Sequence, residues 1–141
     1  MPRVPVISII DDDASVRAAA NRLVRSLGYV AYPFASAREF LESSQLNDTS
    51  CLIADVQMPG MSGLALLEQL KQQQPELEAI MLTAHGSIET AIQAMKRGAY
   101  DYLTKPFHLP ELEIHLEKAA EKVRLARREL QWITNEQIRY E

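Results

Sequence analysis

Cysteine is nearly missing: Cys51 stands alone among 141 residues, which excludes an internal disulfide. It sits in an apolar run and reads as an inert buried thiol rather than a nucleophile. Long apolar runs are missing too. None approaches the roughly 20 residues that span a bilayer, and no basic segment followed by an apolar core opens the chain. The expectation is a cytoplasmic protein without a membrane span. Positive charge is not in excess: the formal net charge is −4, which leaves no electrostatic footprint for nucleic acid over the chain. Internal repeats, low-complexity tracts and Gly/Ser linkers are absent as well.

What remains is a chain long enough for one domain with a sizeable core. Its most informative stretch is Cys51-Leu52-Ile53-Ala54-Asp55-Val56-Gln57-Met58-Pro59-Gly60. A short apolar run bounded by turn residues reads as a buried strand, and here it delivers one carboxylate, Asp55, at its carboxyl end. Val4 to Ile10 is a similar run ending in Asp11-Asp12-Asp13. Tyr29 to Phe34 makes a second strand, Ala79 to Leu82 a fourth ending at Thr83, and Tyr100 to Thr104 a fifth followed by Lys105-Pro106.

Helical signals separate these strands. Ala14 to Leu27 has apolar residues at helical spacing and is closed by Gly28. Ser36 with Glu39 is a capping-box signature, Ser62 is an N-cap for a helix ending before Pro75, and Ser87 caps another through Ile88, Ile92 and Met95. Pro110 fits the first turn of a last helix. Strict β-then-α alternation predicts an α/β fold: a doubly wound, five-stranded parallel sheet covered on both faces. Ligand sites in such sheets lie at the carboxyl ends of the strands, by the switch point. Asp11, Asp12 and Asp55 are therefore expected to converge there.

Three carboxylates in one crevice repel one another unless a cation joins them, and hard oxygen ligands of this kind suit Mg²⁺. Lys105 adds an ammonium and Thr83 a hydroxyl. That set matches the needs of phosphoryl transfer, and a carboxylate can itself be the nucleophile. Each residue also has a plainer reading. Asp13 is an N-cap, Asp11 and Asp12 could be caps, Thr83 a strand-end hydroxyl, and Tyr102 a core residue. His85 and His108 read as loop histidines, and His115 as a residue on a solvated helix face.

The order and spacing of Ile9-Ile10-Asp11-Asp12-Asp13, Asp55-Val56-Gln57-Met58-Pro59-Gly60-Met61-Ser62-Gly63, Met81-Leu82-Thr83-Ala84 and Tyr100-Asp101-Tyr102-Leu103-Thr104-Lys105-Pro106-Phe107 carry a resemblance. Over roughly residues 4 to 120 the chain resembles the receiver domain of bacterial two-component response regulators. The resemblance implies the flavodoxin-like strand order 2-1-3-4-5 and a phosphohistidine donor on a sensor histidine kinase. Asp55 would be the phosphoacceptor. Asp12 and Asp55 would bind Mg²⁺ directly, Asp11 mainly through a water, and Gln57 through its main-chain carbonyl. Lys105 would contact the phosphoryl oxygens. Thr83 would bond one of them after phosphorylation, with Tyr102 rotating inward. Gln57 and His85 would tune dephosphorylation, and the Lys105-Pro106 peptide would be cis.

Residues 121–141 read as an extension of the last helix. Leu112, Leu116, Ala119, Val123, Ala126, Leu130 and Ile133 form a heptad seam. Its first part, to Ala119, is expected to pack on the sheet and the rest to run past it. A lone exposed helix is marginal in water, so a coiled-coil homodimer is the simplest expectation. Another surface for self-association is that of the last helices and strands. Lys122 facing Arg127 of a parallel partner and alanines in the seam oppose the coiled coil, and Trp132 with Leu125 offer a second face to an absent domain. The segment from Arg127 onward looks like a linker to an effector that would control transcription.

Three rivals differ by single features. A phosphohydrolase with an aspartate nucleophile would carry a second acid two residues after it, where Gln57 stands. A nucleotide- or flavin-binding module would carry a Gly-rich loop in place of the three acids. A degenerate receiver would lack one of Asp11, Asp12, Asp55, Thr83 or Lys105.

Overall fold

The computed structural model describes residues 4–84 and 87–140, of which 127–140 as backbone alone. Five parallel strands, β1 (Val6–Ile10), β2 (Val30–Phe34), β3 (Cys51–Asp55), β4 (Glu78–Thr83) and β5 (Asp101–Thr104), stand in the order β2-β1-β3-β4-β5. Five helices alternate with them: α1 (Ala14–Ser26), α2 (Ala37–Leu41), α3 (Gly63–Gln73), α4 (Ile88–Lys96) and α5 (Leu109–Tyr140). A single 3₁₀ turn, Leu46–Asp48, lies in the polar loop before β3.

Alternation along the strands builds two cores, because successive side chains point to opposite faces. Ile7, Ile9, Ile53, Ile80 and Leu82 meet Ala20 and Val24 of α1 and Leu112, Leu116 and Ala119 of α5. Ile10, Leu52, Ala54, Ala79 and Met81 meet Phe40 of α2 and Leu66, Leu67 and Leu70 of α3. The register Ile10↔Ala54 sets the end of β1 beside the end of β3, and Asp55↔Leu82 sets β3 beside β4. Nothing else is needed to bring the acids together.

The caps mostly follow the sequence. The Ser62 hydroxyl accepts from the Ala65 amide at 3.1 Å, and Ser36 from Glu39 at 3.1 Å. Glu39 reaches back, but to the Ala35 amide, one residue before the cap. Ser87 occupies the N-cap position of α4 without making a side-chain cap bond, contrary to expectation.

Two helices depart from their apolar pattern. In α4 the buried residues are Ala91 and Ala94, while Ile88 is 73%, Ile92 47% and Met95 43% exposed. Along α5 the packing on the sheet continues beyond Ala119: Ala120 and Val123 also belong to the core. Lys122 flanks Val123 on one side, 3.1 Å from the buried Glu78 carboxylate and over the Tyr100 ring. Arg124 flanks it on the other, over Tyr29. The seam positions Leu130 and Ile133, like Trp132 and Arg127, lie outside the residues whose side chains are described.

Candidate functional site

β1 ends at Ile10, and Asp11 follows with its side chain fully buried, its amide still donating to the Phe34 carbonyl. Asp13 is the N-cap of α1: its carboxylate accepts from the Ser15 amide at 2.9 Å, the Ser15 hydroxyl at 2.7 Å and the Val16 amide at 3.4 Å. Those bonds hold its carboxyl below the ordinary range. Asp13 is thus committed to the helix. Asp12, between them, is exposed and has no side-chain partner among the described residues.

β3 delivers Asp55. One carboxylate oxygen accepts from the Gln57 amide at 2.9 Å; the other lies 2.8 Å from Lys105 Nζ. The chain then turns through Gly60, whose φ of +80° suits a residue without a side chain. Gly63 opens α3 directly beneath the acid, its amide donating to the Val56 carbonyl at 2.8 Å. A Cβ at Gly63 would collide with the Asp55 carbonyl oxygen.

Lys105 arrives from the end of β5 through a cis peptide to Pro106, and its own amide donates to the Thr83 carbonyl at 2.7 Å. Its ammonium contacts both Asp11 and Asp55, at 2.7 and 2.8 Å. Burial works to lower its pKa, but the bonds to the two carboxylates outweigh that and hold it above the ordinary lysine value. Burial likewise pushes the Asp11 carboxyl up, against the lowering pull of Lys105 and the Asp13 amide.

Carboxylate oxygens of Asp11, Asp12 and Asp55 fall within 4.8 Å of one another. Asp11 Oδ2 is buried, with the Lys105 ammonium 2.7 Å away to balance its charge. A buried acid, an exposed acid without a side-chain partner and a third acid, all oxygen ligands, suit a small hard cation such as Mg²⁺.

Thr83 is buried at the end of β4, and its hydroxyl donates to the Leu103 carbonyl at 3.4 Å, not to Asp55. Tyr102 is 40% exposed and so points outward. His85 lies outside the described residues. His115 is not on a solvated face: its Nδ1 is buried, 2.7 Å from Asp101 Oδ2.

Reading the sequence missed two residues. Arg17 reaches back along α1 and donates from Nη1 to the Asp11 carbonyl at 2.8 Å. A cation this close to a helix N-terminus opposes the helix dipole, a signal that it serves something else. Gly63 is the other: glycine is a poor helix former, and at a first helical position it signals a close approach.

Beside this geometry stand the likenesses to known proteins. Residues 7–117 match the family model described as the response regulator receiver domain. The chain is 39% identical over 114 residues to the DNA-binding transcriptional regulator NtrC of Escherichia coli K12, a match covering 81% of this chain and 24% of that protein. It is 44% identical over 110 residues to the response regulator protein TodT of Pseudomonas putida, covering 78% and 48% respectively. A crystal structure of a response regulator receiver domain protein from Clostridium thermocellum superposes with a TM-score of 0.77 at 31% identity, over 87% of this chain and 99% of that one. The chain thus spans between about a quarter and a half of the curated relatives' length. With the acids, the lysine and the strand order already in place, the match leaves one assignment: this chain belongs to the receiver domain family of two-component response regulators.

Proposed function

We propose that the chain accepts a phosphoryl group on Asp55 from the phosphohistidine of a sensor histidine kinase and switches conformation in response. An Asp55 carboxylate oxygen attacks phosphorus, the nitrogen–phosphorus bond breaks, and the electron pair leaves with the imidazole, giving an aspartyl-phosphate. The observation that carries this reading is Lys105 Nζ, held within 2.8 Å of both Asp11 and Asp55. It is a fixed cation where equatorial phosphoryl oxygens gain charge.

Asp11, Asp12, Asp55 and the Gln57 carbonyl would hold Mg²⁺. When bound, the metal neutralises charge on the transferred group. Asp11 and Lys105 keep Asp55 in a partly buried, charge-balanced setting. Thr83 releases the Leu103 carbonyl to bond the phosphoryl, and Tyr102 turns inward into the space this opens. Gln57 and His85 set the lifetime of the phosphorylated state. The chemistry is self-phosphorylation and slow self-hydrolysis, without turnover of a diffusing substrate.

We assign residues 1–120 to the receiver and 121–141 to a helical linker toward an effector that controls transcription. No helix among the described residues is long and apolar enough to cross a membrane, which supports a place in the cytoplasm with the kinase. Neither the charge balance nor the exposed apolar surface favours nucleic acid as a partner of this segment. That surface, Ile88, Ile92 and Met95 of α4, Tyr102 of β5 and Ile114 of α5, supports homodimerisation through the last helices and strands, alongside the C-terminal helix. Sedimentation with and without beryllofluoride tests this: phosphoryl mimicry should shift monomer towards dimer, and a monomer in both states at high concentration rejects it.

The deciding experiment is incubation with acetyl phosphate and Mg²⁺, read by intact mass. One added phosphoryl is expected, lost in Asp55→Asn and after chelation. A mass gain that persists in Asp55→Asn would overturn the assignment.

A further inference from the structure

The three acids of the site are not held alike. Asp11 is fixed by burial and by accepting the Asp13 amide at 2.9 Å. Asp55 is fixed by the Gln57 amide and Lys105. Asp12 has no side-chain bond among the described residues, so only its backbone can set where its carboxylate points.

That backbone has two side-chain anchors: the Asp11 carboxylate holds the Asp13 amide on one side of the Asp12 Cα, and Arg17 holds the Asp11 carbonyl on the other. The Asp11 carbonyl and the Asp12 amide share a planar peptide unit, so fixing the carbonyl oxygen fixes the direction in which the Asp12 Cα is approached. The oxygen lies beyond the end of β1 and receives Arg17 Nη1 at 2.8 Å. Arg17 is held in turn: its amide donates to the Asp13 carbonyl at 3.0 Å, and helical side chains lean toward the N-terminus. A planar, permanently charged guanidinium suits a carbonyl beside three acids.

We propose that Arg17 is a positioning residue for the cation site, aiming the Asp12 carboxylate by clamping the Asp11–Asp12 peptide. The inference rests on the Mg²⁺ reading above and deepens it. Its sign separates it from the simple alternative. A cation beside the acids repels Mg²⁺, so loss of Arg17 charge alone would tighten metal binding. Loss of the clamp weakens it, because partners that orient metal ligands typically contribute about 10–100-fold in affinity.

The test is Mg²⁺ titration calorimetry on the whole unphosphorylated chain, with Asp12→Asn as the control that must lose binding. Arg17→Met, which removes charge and donor at similar size, is expected to raise Kd about tenfold. Arg17→Lys, which keeps the charge and one donor, is expected to fall between it and the wild type. Thermal midpoints and the amide resonances of Asp12 and Asp13 report whether the change is local. Should Arg17→Met not fold, Arg17→Lys decides: weaker binding than wild type is expected, and equal binding rejects the clamp. Binding by Arg17→Met as tight as wild type or tighter, with Asp12→Asn silent, overturns the proposal and leaves the metal site standing. A wild type whose binding Asp12→Asn does not affect overturns both.

Discussion

Lys105 and Asp11, 94 positions apart in the sequence, meet at 2.7 Å, ammonium to a carboxylate oxygen with no exposed surface. The same ammonium reaches Asp55 on the neighbouring strand. Among the described residues no other side chain contacts both acids, and removal of this one should act on chemistry more than on folding. Lys105→Ala is expected to slow phosphorylation by acetyl phosphate about 100-fold at saturating Mg²⁺, the cost of losing one preorganised charge. Intact-mass time courses check this. A rate within a factor of two of wild type would remove Lys105 from the mechanism.

Asp11 gives a pH signature. Burial raises its folded pKa above the ordinary value of 3.8. The folded chain therefore keeps this proton where the unfolded chain has lost it. Its stabilising contribution is complete below that ordinary value and is lost as pH rises through the raised one. At neutral pH and without metal, an ionised buried acid costs stability. Asp11→Asn should then raise the thermal midpoint at pH 7 in a chelator, and the gain should vanish in acid. A lower midpoint at pH 7 would mean that pairing with Lys105 outweighs burial.

Gly63 tests the closeness of α3 to the site. An added Cβ collides with the Asp55 backbone, not with a side chain that could move aside. Gly63→Ala should cost about 1–3 kcal/mol, as overpacking does, despite alanine's better helix propensity. It should also slow phosphorylation, since β3 must shift. Urea unfolding with unchanged stability would contradict the geometry.

At the opposite, amino-terminal end of the strands, Glu78 opens β4, is 5% exposed and takes its charge balance from Lys122. Lys122 is largely in water, so the pair itself is worth little. Stranding the buried carboxylate is the larger effect. Lys122→Ala is expected to destabilise by about 1 kcal/mol, and Glu78→Gln should recover most of it in the double variant. Equal losses that simply add would show that the two residues act independently.

The strands, their order and the acidic cluster could be read from the chain because each strand is a short apolar run ending in one polar residue with a task. Asp55, Asp11 and Lys105 needed only the sheet register to meet. Other features depend on pairings that no local pattern reveals. The sequence places His115 on a solvated helix face, yet Asp101 comes to it from β5. The sequence reads Tyr29 and Tyr100 as strand residues, and they lie just before β2 and β5 as platforms for Arg124 and Lys122. In α4 the periodicity of Ile88, Ile92 and Met95 identified a helix but not its buried side, since size was a false guide to which residues face the sheet.

That inversion in α4 has a mechanical meaning. Ala91 and Ala94 expose little apolar area when parted from the sheet, so lifting the helix forfeits only a small fraction of what α3 would lose with Leu66, Leu67 and Leu70. On the same wall of the domain α3 is bolted down and α4 merely rests in place. In the proposed switch a single acyl-phosphate, through one threonine, would supply a modest force, and it would act beside the helix that a modest force can dislodge.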